Sequence, residues 1–125
     1  MRIRFYYFTK GSFEMAVVIE NSQNVMSAYL DGDIDHHTAK EIRMEIDNEI
    51  MAKKPSLVIL DFRNVSFMDS SGIGLVMGRY RLLQVTRSRL QISNVSEQTK
   101  KVMHLAGLDK LATINVKGKD SDENN

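Results

Sequence analysis

The stretch LVILDFRNVSFMDSSGIGLVMG, residues 57–78, indicates the fold of this chain more clearly than any other segment. Its first four residues form a short apolar run with the length and composition of a strand buried on both faces. After the link DFRNVS, two adjacent serines stand behind an acid, and three glycines fall within seven residues. A buried strand that leads into a helix over 71–85 predicts an α/β protein. The composition of the junction is unusual for packing alone, so it marks a candidate functional site.

The residues before this stretch predict a hairpin and a helix. MAVVIE and VMSAYL are two β-rich runs joined by the turn formers NSQN, which is typical of a β-hairpin. Over 38–52, apolar residues recur at intervals of three and four, as an amphipathic helix requires. They are Ala39, Ile42, Ile46 and Ile50. The single proline, Pro55, ends this helix.

The residues after the stretch continue the alternation of strands and helices. LQI, residues 90–92, predicts a weak strand, and a helix is expected over 96–106 with Gly107 as its left-handed cap. A final strand is expected over 112–116. The predicted order is therefore β-β-α-β-α-β-α-β. It indicates one α/β domain with a mixed sheet of four to five strands and about three to four helices.

The two ends of the chain differ from the domain between them. The pattern begins at Met15, so residues 1–14 are interpreted as an N-terminal extension or as the product of a wrongly assigned start. The alternative is that they add an edge strand to the sheet. Residues 15–116 form the predicted domain. The segment 117–125 is polar and charged without an apolar anchor, which predicts a disordered tail.

Composition excludes several classes of function. The 125 residues fit one domain, and 17 basic against 16 acidic residues give no strong reason to expect nucleic acid or an anionic membrane as partner. We interpret one group of arginines as a solvated surface: Arg79, Arg81, Arg87 and Arg89. The absence of cysteine fits the reducing cytoplasm, and no apolar run approaches the roughly 20 residues of a membrane span.

The serines and glycines do not match the patterns of common catalytic or phosphate sites. A hydrolase elbow needs glycine two residues before and after its serine, but Met68 and Gly72 flank Ser70. The glycines follow G-x-G-x-x-x-G rather than the dinucleotide spacing, and no lysine stands where a P-loop needs one. Neither a catalytic residue nor a bound cofactor is therefore predicted, and the protein is not expected to be an enzyme.

The acidic segment DGDIDHH, residues 31–37, invites a metal interpretation that its spacing does not support. As a calcium loop it has His36 where glycine is needed and Ile42 where glutamate is needed. No metal site is predicted. The segment is interpreted as a turn followed by a helix start, with Asp35 or a neighbour capping free amides.

The helix after the serines has two contrasting predicted faces. An apolar stripe suited to the core contains Ile73, Val76 or Met77, Tyr80 and Leu83. A smooth stripe beside Ser70 contains Ser71, Gly74, Leu75 and Gly78. This second stripe suits either close approach of another protein or close packing of the glycines on the sheet, and the sequence leaves both interpretations open.

Four motifs carry a resemblance to a known family. DGDIDHHTA, then SFMDSSGIG with GRY, and AGL near the end closely resemble the bacterial anti-sigma-factor antagonists of the STAS fold. The likeness covers about 15–116, and DHH favours the sporulation type over the general-stress type. The chain departs from these relatives in QVTRSRLQ, where they usually carry a glycine pair, so the geometry of that turn is open.

The resemblance implies a phosphorylation switch. Ser70 would be phosphorylated by the anti-sigma factor, an ATP-dependent serine kinase, and dephosphorylated by a metal-dependent serine phosphatase. The unphosphorylated protein would bind the kinase, free its sigma factor and be a monomer when alone. A phosphate on Ser70 is expected to be held by free amides at the helix start. The expected partner-binding residues are Asp35, His36, His37, Asp69, Ser71, Gly72, Gly74, Leu75 and Gly78. The alternatives are a general-stress antagonist, or a STAS module that binds a nucleotide or small anion at the Ser70 helix end.

Overall fold

The computed structural model describes the backbone of residues 2–9 and 12–118 and the side chains of residues 17–118. The elements within these ranges are β1 (Arg2–Thr9), β2 (Ser12–Ser22), β3 (Val25–Ile34), α1 (His36–Lys53), β4 (Leu57–Met68), α2 (Ser70–Val85), β5 (Arg89–Val95), α3 (Glu97–Leu105), a short 3₁₀ helix (Leu108–Lys110) and β6 (Thr113–Val116). From β2 onward the predicted order of strands and α-helices is confirmed. Most of the predicted polar tail, from residue 119 onward, lies outside the described residues, so its disorder stays a prediction.

One mixed sheet joins all the described strands, and their spatial order follows the chain from β1 to β6. The pairs β1–β2 and β2–β3 are antiparallel, whereas β3, β4, β5 and β6 run parallel. The strands β2 to β6 supply the five strands of the predicted domain. The strand β1 is a sixth, at the edge, as in the alternative interpretation of the first residues. The start of the natural domain at Met15 stays a prediction.

The core lies between the sheet and its helices. Buried and less buried residues alternate along β3, because successive side chains point to opposite faces of a strand. Helix α1 buries Ile42, Ile46 and Ile50, as predicted. The buried residues of sheet and helices form one apolar cluster, to which α3 contributes Met103. No helix of the described residues is long and apolar enough to cross a bilayer.

The turn between α2 and β5 forms without the glycine pair. Arg87 adopts a left-handed backbone with φ of 58°, which is unfavourable for a residue with a side chain. The next residue, Ser88, is buried and donates a hydrogen bond of 2.6 Å to the carbonyl oxygen of Pro55. This anchor ties the turn to the loop before β4.

Strand β4 is longer than the apolar run LVIL that predicts it. It continues through DFRNVSFM to Met68, so the prediction of a link over those residues is wrong. The reason is that the end of β3 remains beside it: Asp31 pairs with Asn64, and Ile34 pairs with Met68. The extension carries the chain straight from the sheet to the serines.

Candidate functional site

The starts of α1 and α2 lie side by side. Strands β3 and β4 are parallel neighbours that end together, and the backbone N–H of Asp69 donates to the carbonyl oxygen of Ile34 at 3.1 Å. Each strand is followed by one acid and then by a helix, with Asp35 before α1 and Asp69 before α2. The sheet therefore brings the DHH and DSSG motifs together, although they are far apart in sequence.

Asp35 caps α1, which confirms that prediction. Its Oδ1 accepts hydrogen bonds from the backbone N–H groups of His37 at 2.9 Å and Thr38 at 3.0 Å. In return, Thr38 Oγ1 accepts from the N–H of Asp35 at 2.9 Å, which completes a capping box. The amide of Thr38 is the main cause that lowers the pKa of Asp35 below its usual value. The cap leaves the two following histidines exposed, with ring centroids 4.1 Å apart.

Asp69 caps α2 and leaves Ser70 free. Asp69 Oδ1 accepts from the N–H of Ser71 at 2.7 Å, and its carbonyl oxygen accepts from the N–H of Gly72 at 3.0 Å. These amides are therefore already bonded, which contradicts the expectation that they are free to hold a phosphate. Ser70 is exposed, and its hydroxyl makes no hydrogen bond with residues 17–118. Ser71 is half-buried.

The three glycines of α2 have two different roles. A Cβ at Gly72 would overlap Cγ and Sδ of Met68, so any larger residue at this buried position requires the Met68 side chain to move. A Cβ at Gly74 or Gly78 would have no atom within 4 Å. The interpretation that these two glycines pack closely on the sheet is therefore wrong. Nothing within the described molecule explains their small size.

The buried face of α2 differs from the predicted apolar stripe. It consists of Gly72, Leu75, Val76, Arg79 and Leu83. Ile73, Met77 and Tyr80 pack against the core but are only half-buried. Leu75 is 3% exposed, so its placement on the smooth stripe, apart from the stripe that faces the core, is wrong. The prediction assigned only apolar residues to the buried face and so left out Arg79. The observed buried face is therefore rotated around the helix relative to the predicted one.

Arg79 is 4% exposed, so its interpretation as solvated surface is wrong. Its Nη2 donates to Asp47 Oδ2 at 3.1 Å, and its Nη1 donates to the carbonyl oxygen of Leu75 at 3.2 Å. Its Nε lies 2.7 Å from Asp47 Oδ1, at an angle poor for a hydrogen bond. Burial raises the pKa of Asp47 and lowers the pKa of Arg79, and each partner opposes the other's shift. The ion pair holds α1 against α2.

A cleft of about 290 Å³ separates the first turns of these two helices. Its lining consists of His36, Ala39, Lys40, Arg43, Ser71, Gly74 and Leu75. Four expected partner-binding residues therefore meet here, whereas Asp35, His37, Asp69, Gly72 and Gly78 are not part of the lining. Sequence reasoning missed Lys40 and Arg43. Their spacing of three residues on one helix face was the available signal.

Phe67 is a third residue that the sequence reasoning missed. Its side chain is 56% exposed, although it stands in a strand three residues before Ser70. The register of β3 and β4 shifts between Gly32 and Asp33, whose partners are Val65 and Phe67, so β4 carries an extra residue there. Such a bulge interrupts the alternation of a strand, and the exposed Phe67 lines a depression with Ser96, Thr99 and Val102 of the α3 region rather than with the serines. Among residues 17–118, no cluster of potential metal ligands occurs.

Comparisons with known proteins agree with this architecture. A family model described as the STAS domain matches residues 16–119. The chain is 30% identical over 100 residues to an anti-sigma F factor antagonist of Paenibacillus polymyxa, covering 80% of this chain and 86% of the relative. The unphosphorylated anti-sigma factor antagonist SpoIIAA superposes with a TM-score of 0.71 at 32% identity, covering 87% and 92% of the two chains. The phosphorylated Bacillus SpoIIAA gives 0.66 at 32% identity, covering 87% and 96%.

Proposed function

The chain belongs to the STAS domain family, and from this premise we propose that it is an anti-sigma factor antagonist switched by phosphorylation of Ser70. In the unphosphorylated form it binds an anti-sigma factor with serine kinase activity and displaces the sigma factor. Phosphorylation by that kinase ends the interaction, and a metal-dependent serine phosphatase restores it. The protein is a monomeric, cytoplasmic substrate and binding partner rather than an enzyme.

The observation that carries this proposal is the state of the Ser70 hydroxyl. It is exposed and makes no hydrogen bond with the described side chains and backbone, so a kinase can reach it without unfolding α2. Neighbouring Ser71 is half-buried in the α1–α2 cleft. On the same side of the helix, Gly74 and Gly78 leave space that this chain does not use. A partner can therefore approach the helix closely around an accessible phosphoacceptor.

The effect of phosphate follows from the capping role of Asp69. A phosphoserine adds about −1.5 to −2 charges at neutral pH. The first-turn amides of Ser71 and Gly72 already donate to Asp69, so they do not neutralise this charge. The new charge instead stands beside the Asp69 carboxylate. Phosphorylation then changes the electrostatics of the binding face and leaves the fold intact.

The sporulation type is supported by the DHH motif and by the similarity to an anti-sigma F factor antagonist. A general-stress antagonist would use the same serine and differ in its kinase. Binding of a nucleotide or small anion at the Ser70 helix end is less favoured, because Asp69 occupies the first-turn amides.

The test is incubation of the purified protein with ATP and either a sporulation-type or a general-stress-type anti-sigma kinase. Mass spectrometry should find phosphate on Ser70 with the sporulation-type enzyme. The Ser70→Ala variant should lose the modification and still bind the kinase, whereas Ser71→Ala should be phosphorylated normally. Phosphate on Ser71, or on neither serine with both kinases, would contradict the proposal. Preference for the general-stress kinase would replace the sporulation assignment alone.

A further inference from the structure

One face of α1 carries an uninterrupted row of polar residues toward α2. His36, Lys40, Arg43 and Asp47 are spaced by four, three and four residues, which places them on one side of the helix. The first three line the α1–α2 cleft, and Asp47 pairs with Arg79 beyond it. The cleft therefore has a charged wall on α1 and a wall of small and apolar residues on α2.

Positive charge exceeds negative charge along this wall. Lys40 and Arg43 are the two cations of the row and Asp47 is its one carboxylate, and Arg79 adds a third cation from α2. Arg79 already holds both carboxylate oxygens of Asp47. Arg43 is close enough to affect the ionisation of both members of that pair. Neither Lys40 nor Arg43 forms an ion pair with a carboxylate of residues 17–118.

The other acids of α1 do not supply the missing charge. Glu41, Glu45 and Glu49 follow each other at intervals of four, so they form their own row on a different side of the helix. Burial, together with repulsion from Glu41 and Glu49, raises the pKa of Glu45. The glutamates of α1 therefore lie together on one side of the helix, and Lys40 and Arg43 lie on the side that lines the cleft.

We infer that this cleft receives an acidic side chain of the anti-sigma factor, held between Lys40 and Arg43 on α1 and Gly74 on α2. This inference rests on the proposed function. Lys40 and Arg43 are exposed at the mouth of the cleft, and the one carboxylate close to Arg43, Asp47, is already paired with Arg79. The two cations are therefore complementary to an added carboxylate, and the open space at Gly74 admits the arriving chain. Ser70 is not part of the lining, so its own phosphate is a poorer occupant than a partner's carboxylate.

The inference gives the switch a specific physical cause. Ser70 is adjacent to Ser71, which lines the cleft. A phosphate on Ser70 would then place negative charge beside the position where the partner's carboxylate binds. The two anions repel each other, and this repulsion weakens as salt screens it. Loss of affinity on phosphorylation should therefore be larger in low salt than in high salt.

The experiment compares charge reversals by titration calorimetry with the kinase that phosphorylates the wild-type protein. Lys40→Glu and Arg43→Glu should each weaken binding by about tenfold or more, most strongly at low salt. Lys101→Glu makes the same charge change on the exposed surface of α3 and should alter affinity by less than about twofold. Because Arg43 lies near the Arg79–Asp47 ion pair, thermal melts and the neutral variants Lys40→Gln and Arg43→Gln control for folding.

Each outcome bears on a different claim. If folded Lys40→Glu and Arg43→Glu bind like Lys101→Glu, the inference is overturned and the proposed function stands. If they bind normally but erase the difference between phosphorylated and unphosphorylated forms, the cations hold the Ser70 phosphate, and the inference is again overturned. If wild-type protein binds neither type of anti-sigma kinase, the proposed function fails, and the inference fails with it.

Discussion

The two faces of α2 differ in how far contacts within the molecule explain their residues. The inner face contains Gly72, which has no room for a Cβ, and Arg79, whose charge is held by Asp47. The outer face contains Ser70, with a free hydroxyl, and Gly74, with open space around it. The inner face is explained by contacts within the molecule. The outer face has no such explanation.

The contrast shows that glycines of one helix can have different roles, so the surroundings of each must be compared separately. Glycine within a helix costs about 1 kcal/mol relative to alanine. At Gly72 the packing against Met68 explains this cost. At Gly74 and Gly78 no contact with the described residues explains it, and on the proposed function the open space admits the partner. The following four substitutions test whether the two faces separate in this way.

The largest loss of stability should follow from breaking the ion pair on the inner face. Asp47→Ala leaves the Arg79 charge buried without a partner, which should lower the free energy of unfolding by about 3–5 kcal/mol. Urea unfolding followed by circular dichroism measures it. The double variant Asp47→Leu with Arg79→Met should be close to wild type. Burial raises the pKa of Asp47 and lowers the pKa of Arg79, so it disfavours both charges, and the variant removes them together. A single-variant loss below about 1 kcal/mol would contradict the assignment of Arg79 to the core.

On the outer face, the largest effect should appear in binding. Ser70→Asp introduces a carboxylate beside Asp69, which should weaken binding to the anti-sigma factor by about 2–5 kcal/mol, or tens to thousands of fold. Unfolding should change by no more than about 0.5 kcal/mol, because the residue is exposed. Ser70→Ala is the matched control and should bind normally. A parallel drop in unfolding free energy would show that this face also stabilises the domain.

Gly72→Ala should be destabilising although alanine favours helices. The added methyl group overlaps Met68, and overpacking of this kind costs about 1–3 kcal/mol. Thermal denaturation of Gly72→Ala, of Met68→Ala and of the double variant forms a double-mutant cycle. Removing the Met68 side chain should relieve the clash, so the double variant should lose less stability than the two single losses added. Simple additivity would mean that Met68 is not the obstacle.

Gly74→Ala should have a small effect on stability, and with the opposite sign to Gly72→Ala. It should raise the free energy of unfolding by up to about 1 kcal/mol, since its Cβ meets no atom within 4 Å. Its binding to the anti-sigma factor should weaken, because the methyl group occupies space left for the partner. Calorimetric melts and binding titrations on the same preparation test both parts. A destabilised Gly74→Ala would reveal a contact inside the molecule and remove the contrast with Gly72.

The sequence predicted the elements of the fold well because each has a local signal. The periodic isoleucines of α1, the turn formers after β2 and the apolar run of β4 are such signals. The length of β4 was missed, since its second half is a strand only because the end of β3 lies beside it. The edge strand β1 was predicted only as an alternative, because its own sequence does not indicate that it pairs with β2.

The sequence predicted the candidate site less completely than the fold. Asp35 was recognised as a cap because it stands just before a helix pattern. The buried position of Arg79 was not recognised, because its ion-pair partner Asp47 lies on another helix and is distant in sequence. Bulges also leave no clear trace in a single sequence, so exposed Phe67 was missed. The proposed role of Ser70 came from the resemblance to a family, and its exposed hydroxyl without a hydrogen-bond partner among the described residues supports the proposal.

The adjacent ends of β3 and β4 have a consequence for the order of events during folding. The two motifs of the site come together only after two parallel strands, distant in sequence, have paired across the intervening helix. Parallel pairing of this kind closes a long loop and is slow compared with the formation of a helix. A nascent or misfolded chain therefore carries the DSSG sequence without the surface around it. On the proposed function, the kinase responds to the concentration of correctly folded antagonist, not to the total amount of chain synthesised.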